Sequence, residues 1–566
     1  MRWLALLLIC ASPYAMAQVY SARDFAPHLP ETLLDMLQLL PGVSLSGASE
    51  QRRIQVSGTP SGQTRLLIDG VAMTDEDGSG QSLAAQIPAA AVASIELNAD
   101  HPDALSLGSA IIRVRLHDAN STPPGGELRQ RITGPDDGAV ALRWNSRRQQ
   151  LQLMHSGSRF DDQQTLFSSH QRWNWQQTDF NARWLLLDAE QPMPTGSSYP
   201  QQSYRLQLHL QRPFADLQLN SRLTYSHYHR DSVGEHNNQQ WLWQTGLQRT
   251  TGEHRWRWQL QWQHEERQLQ HATYDYRLRS HSAGMTLADN WQLSRDWQID
   301  LGYRLQTYQH DLQRQSAQDE EQQVSDTHWL PYLHLRHTYD EHNQLHWQLG
   351  QYSQHPSARQ RLASDDTLLG NASLGAEVLN RMQLSWHHQG DTRQQWQLRW
   401  LRQTWHNSLV AERTEAGRLQ PQNSDEVQQL QGYEWQWQDQ YYLHQQSWRL
   451  STSVGFYRWR GRLSLDNPTT RTTTFSQARA ALVNIVTAQL RWAADWQWQS
   501  RSRDHSVLTQ VADAPAGYRL GLSASWLPKP QWHINARLGY HRPGLMSQTA
   551  NKVGQYDWHF GLRFRW

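Results

Sequence analysis

The chain has 566 residues and a formal net charge of +1, and its mean hydropathy of −0.80 coexists with 29 Trp and 20 Tyr. Lys and Arg are spread along the chain, so there is no basic footprint for a nucleic-acid partner. After the first twenty residues no stretch approaches the ~18 consecutive apolar residues of a spanning helix, which excludes a membrane helix bundle.

The amino terminus reads as an export signal. Arg2 supplies positive charge, Trp3 to Ile9 an apolar run, and Ala15-Met16-Ala17 a small-x-small cleavage pattern, so residues 1–17 are expected to be removed before Gln18. The only cysteine, Cys10, lies in this segment. Ile9 stands where a lipoprotein acceptor needs a small residue, and too few residues precede it. The expected mature chain therefore has no thiol, disulfide or cysteine metal site.

Residues 18–120 read as a compact α+β unit. After Pro30, ETLLDMLQLL (Glu31 to Leu40) places Leu33, Leu34, Leu37 and Leu40 on one helical face, and Pro41-Gly42 ends the helix. Arg53 to Val56 and Arg65 to Ile68 read as strands, with Asp69-Gly70 as a tight turn. Ile87-Pro88 opens a connector to a strand from Val92 to Leu97, and Ile111 to Leu116 is the last strand. The pattern suggests two strand pairs and a helix. Ser121-Thr122-Pro123-Pro124-Gly125-Gly126 then forms a linker of turn residues.

Residues 121–566 alternate with period two. In RWRWQLQWQH (Arg255 to His264), Trp256, Trp258, Leu260 and Trp262 share one face while Arg257, Gln259, Gln261 and Gln263 share the other. Further rows begin at Trp297, Trp396 and Trp532. Ser294-Arg295-Asp296, Gly390-Asp391 and Pro528-Lys529-Pro530 read as turns. A strand with lipid on one side needs apolar residues only at alternate positions, so the mean hydropathy stays low, and excess Trp and Tyr suit the two interfacial girdles. The pattern predicts a membrane all-β barrel of about 22 antiparallel strands, wide enough to hold the preceding α+β unit as a plug. Two segments, Asp188 to Gln202 and Ser353 to Gly375, read as the longest loops. The chain ends GQYDWHFGLRFRW, with Tyr556, Trp558, Phe560, Leu562, Phe564 and Trp566 on one face. This segment resembles the closing strand of bacterial outer-membrane barrels, which the barrel assembly machinery reads.

Four segments in order resemble the plug of TonB-dependent outer-membrane receptors. They are LLDMLQLLPGVSL (Leu33 to Leu45), RLLIDGVAM (Arg65 to Met73), IPAAAVASIEL (Ile87 to Leu97) and HPDALSLGSA (His101 to Ala110). There are departures. Val56-Ser57-Gly58 replaces the family's usual Ile-Arg-Gly, and its paired glycines before the last plug strand are missing. The family's extended box for TonB has no clear counterpart in QVYSARDFAPHL, where Val19, Tyr20 and Ser21 are the candidate contact by β-augmentation.

The resemblance implies a receptor in the outer membrane of a Gram-negative bacterium, embedded among lipid and lipopolysaccharide. It also implies coupling to TonB with ExbB and ExbD, and import of a scarce small ligand such as a siderophore or other metal chelate. It places two apical plug turns at the ligand: Thr59, Ser61 and Gln63 in one, and Thr74, Asp75, Glu76 and Asp77 in the other. Three consecutive carboxylates suit a hard cation, repulsion of an anionic ligand, or simply a solvated loop. Among the 28 His, the groups His227/His229 with His236 in the following loop, His334…His337 and His387-His388 are dispersed, so no metal site is expected. No cofactor is expected, and no nucleophile–base–orienter spacing marks an enzyme. Two alternatives stay open: a plugged channel working without TonB, and a surface binding protein.

Overall fold

The computed structural model describes residues 18–565, less 47–52, 57–63, 73–83, 99–109, 118–124, 362–368, 463–469, 504–512, 543–554 and some shorter turns and single positions. The signal segment 1–17 and both apical turns, Thr59 to Gln63 and Thr74 to Gly78, lie outside the described residues.

The amino-terminal unit contains β1 (Gln18–Ser21), α1 (Ala22–Phe25), α2 (Leu33–Gln38), β2 (Val43–Ser46), β3 (Arg53–Val56), β4 (Thr64–Ile68), β5 (Val71–Ala72), β6 (Val92–Asn98) and β7 (Ala110–Leu116). Thr32 caps α2. Its Oγ1 accepts from the Asp35 amide at 3.2 Å, and Asp35 Oδ2 accepts from the Thr32 amide at 3.1 Å. Past the helix, Gly42 takes φ 74°, which favours glycine. The four leucines of the expected face are all buried, in one cluster with Ile54, Ile68, Val92, Ile95 and Val114.

The unit is not two strand pairs. β1-β6-β7-β4-β5 make one five-stranded sheet in which β4 and β7 run parallel, and β2–β3 form a separate pair. The parallel pairing joins segments far apart in sequence, so no local turn signal announces it. It also brings β1 in as an edge strand against β6, with Tyr20 opposite Ile95.

Twenty-two antiparallel strands close into a barrel. The last strand, Gln555–Arg565, pairs with Trp532–Arg542 on one side. On the other it pairs with Gly125–Ile132, from Arg565 opposite Glu127 to Phe560 opposite Ile132. Closure leaves no sheet edge in lipid, as the expected terminal strand requires. Trp558 and Phe560 are exposed on its outer face and Leu562 is half-buried, while Trp566 and the side chains of Tyr556 and Phe564 lie outside the description.

Alternation along each strand divides the wall into an outer apolar face and an inner polar face. Trp256, Trp258, Leu260 and Trp262 are exposed outward. Gln207, Ser226, Gln306 and Gln383, at inward positions elsewhere in the wall, are buried. The strands between Gly234 and Thr338 are 18 or 19 residues long. A tilted spanning strand needs about 9–11, so these project beyond the bilayer.

Asp188 to Gln202 is not a long loop. Most of it belongs to the strands Thr178–Pro192 and Ser198–Phe214, which stay paired up to Pro192 opposite Ser198. Likewise Pro528 and Lys529 lie within the strand Gly517–Lys529, and His236 within Gly234–Thr251. For Asp188 to Gln202 and for His236, ladder pairing with a neighbour overrides a locally turn-like or polar composition, whereas Pro528 sits in a register shift and Lys529 pairs with Trp532 at the hairpin end.

Leu260 sits mid-row on the lipid face. Leu260→Arg is expected to cost about 2–4 kcal/mol of barrel stability, measured by guanidinium unfolding in lipid vesicles. An unchanged midpoint would contradict the assigned face.

Candidate functional site: the plugged lumen

The Asp69-Gly70 turn forms as expected, with φ 54° at Asp69 and 81° at Gly70. Its larger role was hidden in the sequence. Asp69 Oδ1 accepts from the Leu116 amide at 3.0 Å. Asp69 Oδ2 pairs with Arg205 at 3.3 Å and with Arg183, both on the inner barrel wall. Arg205 Nη1 also donates to the Ile68 carbonyl at 2.7 Å. Gly70 takes a φ that favours glycine, and a Cβ there would stand 2.6 Å from Arg222 Nη1, so the guanidinium would have to move aside. Beside this anchor, Leu166, Leu185 and Leu187 of the wall join the plug's hydrophobic cluster.

A second seam holds the amino-terminal segment to another sector of the wall. Asp24 pairs with Arg449 at 3.2 Å and Asp35 with Arg519 at 3.8 Å. His28 Nδ1 lies 3.4 Å from Asp495 Oδ1. Ser523 Oγ donates to the Pro27 carbonyl, and Gln497 Nε2 to the Gln38 carbonyl. Every one of these contacts is polar. Val19, Tyr20 and Ser21 belong to this segment, in the edge strand β1, with Val19 60% exposed and Tyr20 packed on the plug core.

The loop end of the lumen carries a cluster of rings and charges. His355, just past the strand Asn343–Gln354, has its ring centroid 3.3 Å from that of Tyr308, 5.7 Å from His328 and 5.9 Å from His310. His310 Nδ1 is 2.7 Å from Ser280 Oγ, and His328 Nε2 is 3.0 Å from Asp326 Oδ2. Among the described residues, the Nε2 atoms of His310 and His355 are buried without a hydrogen-bond partner. Burial, then the neighbouring His310, His328, Arg361 and Arg65, push the His355 pKa well below the usual imidazole value, so it is neutral at pH 7. The adjoining inner wall is apolar: Tyr352, Leu379, Leu401, Trp405, Leu430, Tyr457, Trp459 and Phe475 form one buried cluster. This combination can seat a ligand with an apolar body and anionic or hydrogen-bonding groups.

Two loops flank this end. The expected loop after Ser353 is present, and a second, unanticipated one contains the hairpin Ser408–Arg413/Leu419–Ser424. They are knitted together. Asn371 Nδ2 donates to the Pro421 carbonyl at 3.0 Å, Asn423 Oδ1 accepts from the Gly375 amide at 2.8 Å, and Leu374 packs with Leu409 and Leu419.

Strand geometry explains the histidines. His227 and His229 share the outer face, where His227 meets Tyr204 with centroids 4.7 Å apart. His387 and His388 point to opposite faces, as do His334 and His337. The inward members meet across strands instead, His346 lying 5.5 Å from His334 and 4.5 Å from His387. No group of three or more His, Cys, Asp or Glu among the described residues has the geometry to hold a metal ion.

A family model for the TonB-dependent receptor-like β-barrel matches residues 112–545, and one for the TonB-dependent receptor plug domain matches residues 12–112. The chain belongs to the TonB-dependent receptor family. It is accordingly an outer-membrane β-barrel protein of a Gram-negative bacterium. No curated protein matches it in sequence. Among solved structures it is similar to the siderophore receptor PirA from Pseudomonas aeruginosa, at 13% identity and TM-score 0.70, covering 98% of this chain and 100% of that one. It is also similar to the copper transporter OprC, at 11% identity and TM-score 0.77, covering 97% of each chain. The FrpB iron transporter from Neisseria meningitidis matches at 10% identity and TM-score 0.77, over 97% of this chain and 99% of that one. At these identities the likeness is one of fold.

Burial alone would raise the Asp69 pKa, but Arg183, Arg205 and the Leu116 amide outweigh it and hold it below the usual carboxylate range. Its contribution to stability is therefore complete above the unfolded value of ~4 and is lost as pH falls through the lower folded value. Asp69→Asn leaves the buried Arg205 and the half-buried Arg183 without their anion and is expected to loosen the plug by about 3–5 kcal/mol at neutral pH. The readout is hydrogen exchange along β4 and β7. Unchanged protection would show that the turn, not the ion pairs, anchors the plug.

Proposed function

We propose that this receptor imports a scarce, compact ligand, a siderophore or other metal chelate, by TonB-coupled displacement of its plug. In this reading residues 1–17 are the export signal, 18–120 the plug and 121–566 the barrel. The observation that carries it is the closed barrel whose lumen is occupied by a domain held through discrete polar contacts. A wide barrel without the plug would leak, so transport needs a state in which the plug shifts. The seam is polar: its Asp24–Arg449 and Asp35–Arg519 pairs are partly exposed and can exchange wall partners for water at modest cost when pulled, whereas the buried His28–Asp495 pair costs more to part. The Asp69 anchor, backed by Leu166, Leu185 and Leu187, is the firmer side. The segment next to the polar seam is β1, which contains the candidate TonB contact.

The mechanism uses differential binding between two plug states and no bond chemistry. Ligand enters between the knitted loops and meets Tyr308, His310, His355 and Arg361, with the aromatic cluster on the adjoining stretch of wall. Solved structures of the same fold include siderophore, iron and copper transporters, which supports a metal-bearing ligand. The apical plug residues Thr59, Ser61, Gln63, Thr74, Asp75, Glu76 and Asp77 would complete the site from below.

The test is a titration of the mature protein in detergent with the periplasmic domain of its host's TonB. Saturable binding is expected, together with its loss when residues 18–21 are removed. Absence of binding in both forms, with TonB active on another receptor, would replace this reading with a plugged channel independent of TonB. For the lumen, Arg361→Ala with Tyr308→Ala is expected to lower uptake at least tenfold for whichever ferric chelate, in a panel of hydroxamate, catecholate and citrate complexes, supports iron-limited growth. Undiminished growth would remove this wall from the ligand site.

A further inference from the structure

The lipid-facing surface carries a group of arginines that the transport reading does not use. On the strand Gln395–His406, Trp396, Leu398 and Trp400 face outward, and the next outward residue is Arg402. Arg402 lies opposite Gln431 on Gln428–Leu443, and Gln431 lies opposite Arg458 on Gln446–Gly461. Arg460 is the next outward residue beyond Arg458. All three arginines are exposed. Immediately toward the membrane centre on the same faces are Trp400, Tyr433 and Phe456, the last two each 60% exposed. The arginines thus stand just past the aromatic girdle on the loop side, where hydrocarbon gives way to headgroups.

Charge balance sets this patch apart. Its outward neighbours in register are uncharged: Met382 beside Arg402, Thr404 beside Gln429, Thr472 beside Arg460 and Thr474 beside Arg458. None of the three arginines makes a side-chain hydrogen bond or ion pair among the described residues. Arg277 and Arg279 provide the contrast. They also face outward at the loop end of their strand, but Glu266 is ion-paired to both. That cluster is satisfied within the protein, whereas the patch around Arg458 presents its donors to the surroundings.

We infer that Arg402, Arg458 and Arg460 bind the phosphate groups of one outer-leaflet glycolipid on the outer wall. Adjacent strands lie about 4.8 Å apart, so Arg402 and Arg458 are roughly 10 Å apart across Gln431, and Arg460 is about 7 Å further along the strand from Arg458. Long side chains from this triangle converge on one or two phosphates, and the planar guanidinium fork matches phosphate oxygens bidentately. Gln429, Gln431, Thr472 and Thr474 supply neutral partners for sugar hydroxyls. Tyr433 and Phe456 lie below, where acyl chains begin. The headgroup is the part that only the outer leaflet offers, which favours a phosphorylated glycolipid over a phospholipid of the inner leaflet.

The test uses the mature protein in detergent, titrated with diphosphoryl lipid A and followed by native mass spectrometry. One lipid is expected to bind the wild type at least tenfold more tightly than the triple variant Arg402→Gln, Arg458→Gln, Arg460→Gln. The pair Arg277→Gln, Arg279→Gln should bind as the wild type does. Fully dephosphorylated lipid A and phosphatidylglycerol should each bind the wild type at least tenfold more weakly. Equal binding by the triple variant, equal loss in the Arg277/Arg279 variant, or equal affinity for phosphatidylglycerol would each overturn the proposal. Unheated electrophoretic mobility shows whether the triple variant folds. If it does not, Arg458→Gln alone should lose at least threefold, and no loss would overturn the proposal in the same way.

Discussion

Hydrocarbon offers no hydrogen-bond partner, so no backbone amide or carbonyl of a spanning strand can be left over. That constraint demands a closed ladder, and here the last strand closes it by pairing with Gly125–Ile132. A closed ladder of twenty-two strands has a broad lumen, and the lumen needs a folded domain to seal it. Wall, plug and the contacts between them follow from the one requirement.

Because side chains alternate, a single residue type does different work on the two faces. Inward arginines are engaged: Arg183 and Arg205 hold Asp69, Arg519 holds Asp35, and Arg399 pairs with Glu434. Outward arginines meet either a local carboxylate, as Arg277 meets Glu266, or the headgroup layer. Aromatic residues divide in the same way. Trp256 and Trp258 face lipid, whereas Trp405 and Trp459 are buried in the inner-wall cluster. Facing direction, rather than residue identity, separates anchoring, ligand recognition and membrane contact.

The plug is held asymmetrically, and this asymmetry links structure to transport. Around Asp69 the contact is charged and backed by apolar packing, and Gly70 leaves room for Arg222. Around the amino-terminal segment it is made of dispersed polar pairs, those of Asp24 and Asp35 partly exposed and that of His28 buried. In the proposed transport cycle, a pull applied near β1 would act on this polar seam first, while the Asp69 anchor keeps the domain registered in the lumen.

Local pattern was enough to determine the barrel, its approximate strand number, the plug helix with its four buried leucines, and the terminal strand. Each rests on a period of two or 3.6 residues, which is a property of neighbouring positions in the chain. The apical turns were named from resemblance and fall outside the described residues, so they stand as proposals. Local pattern did not disclose the parallel pairing of β4 with β7, the hairpin loop Ser408–Ser424, the role of Asp69 beyond its turn, or the meeting of His310 and His328 with His355. These depend on register between distant strands and on the closure that brings Arg205 to a turn 136 residues earlier. A one-residue change of register would send those side chains to the other face while leaving the composition untouched. Which residues point inward was thus legible along each strand, and what they meet there was decided by the fold.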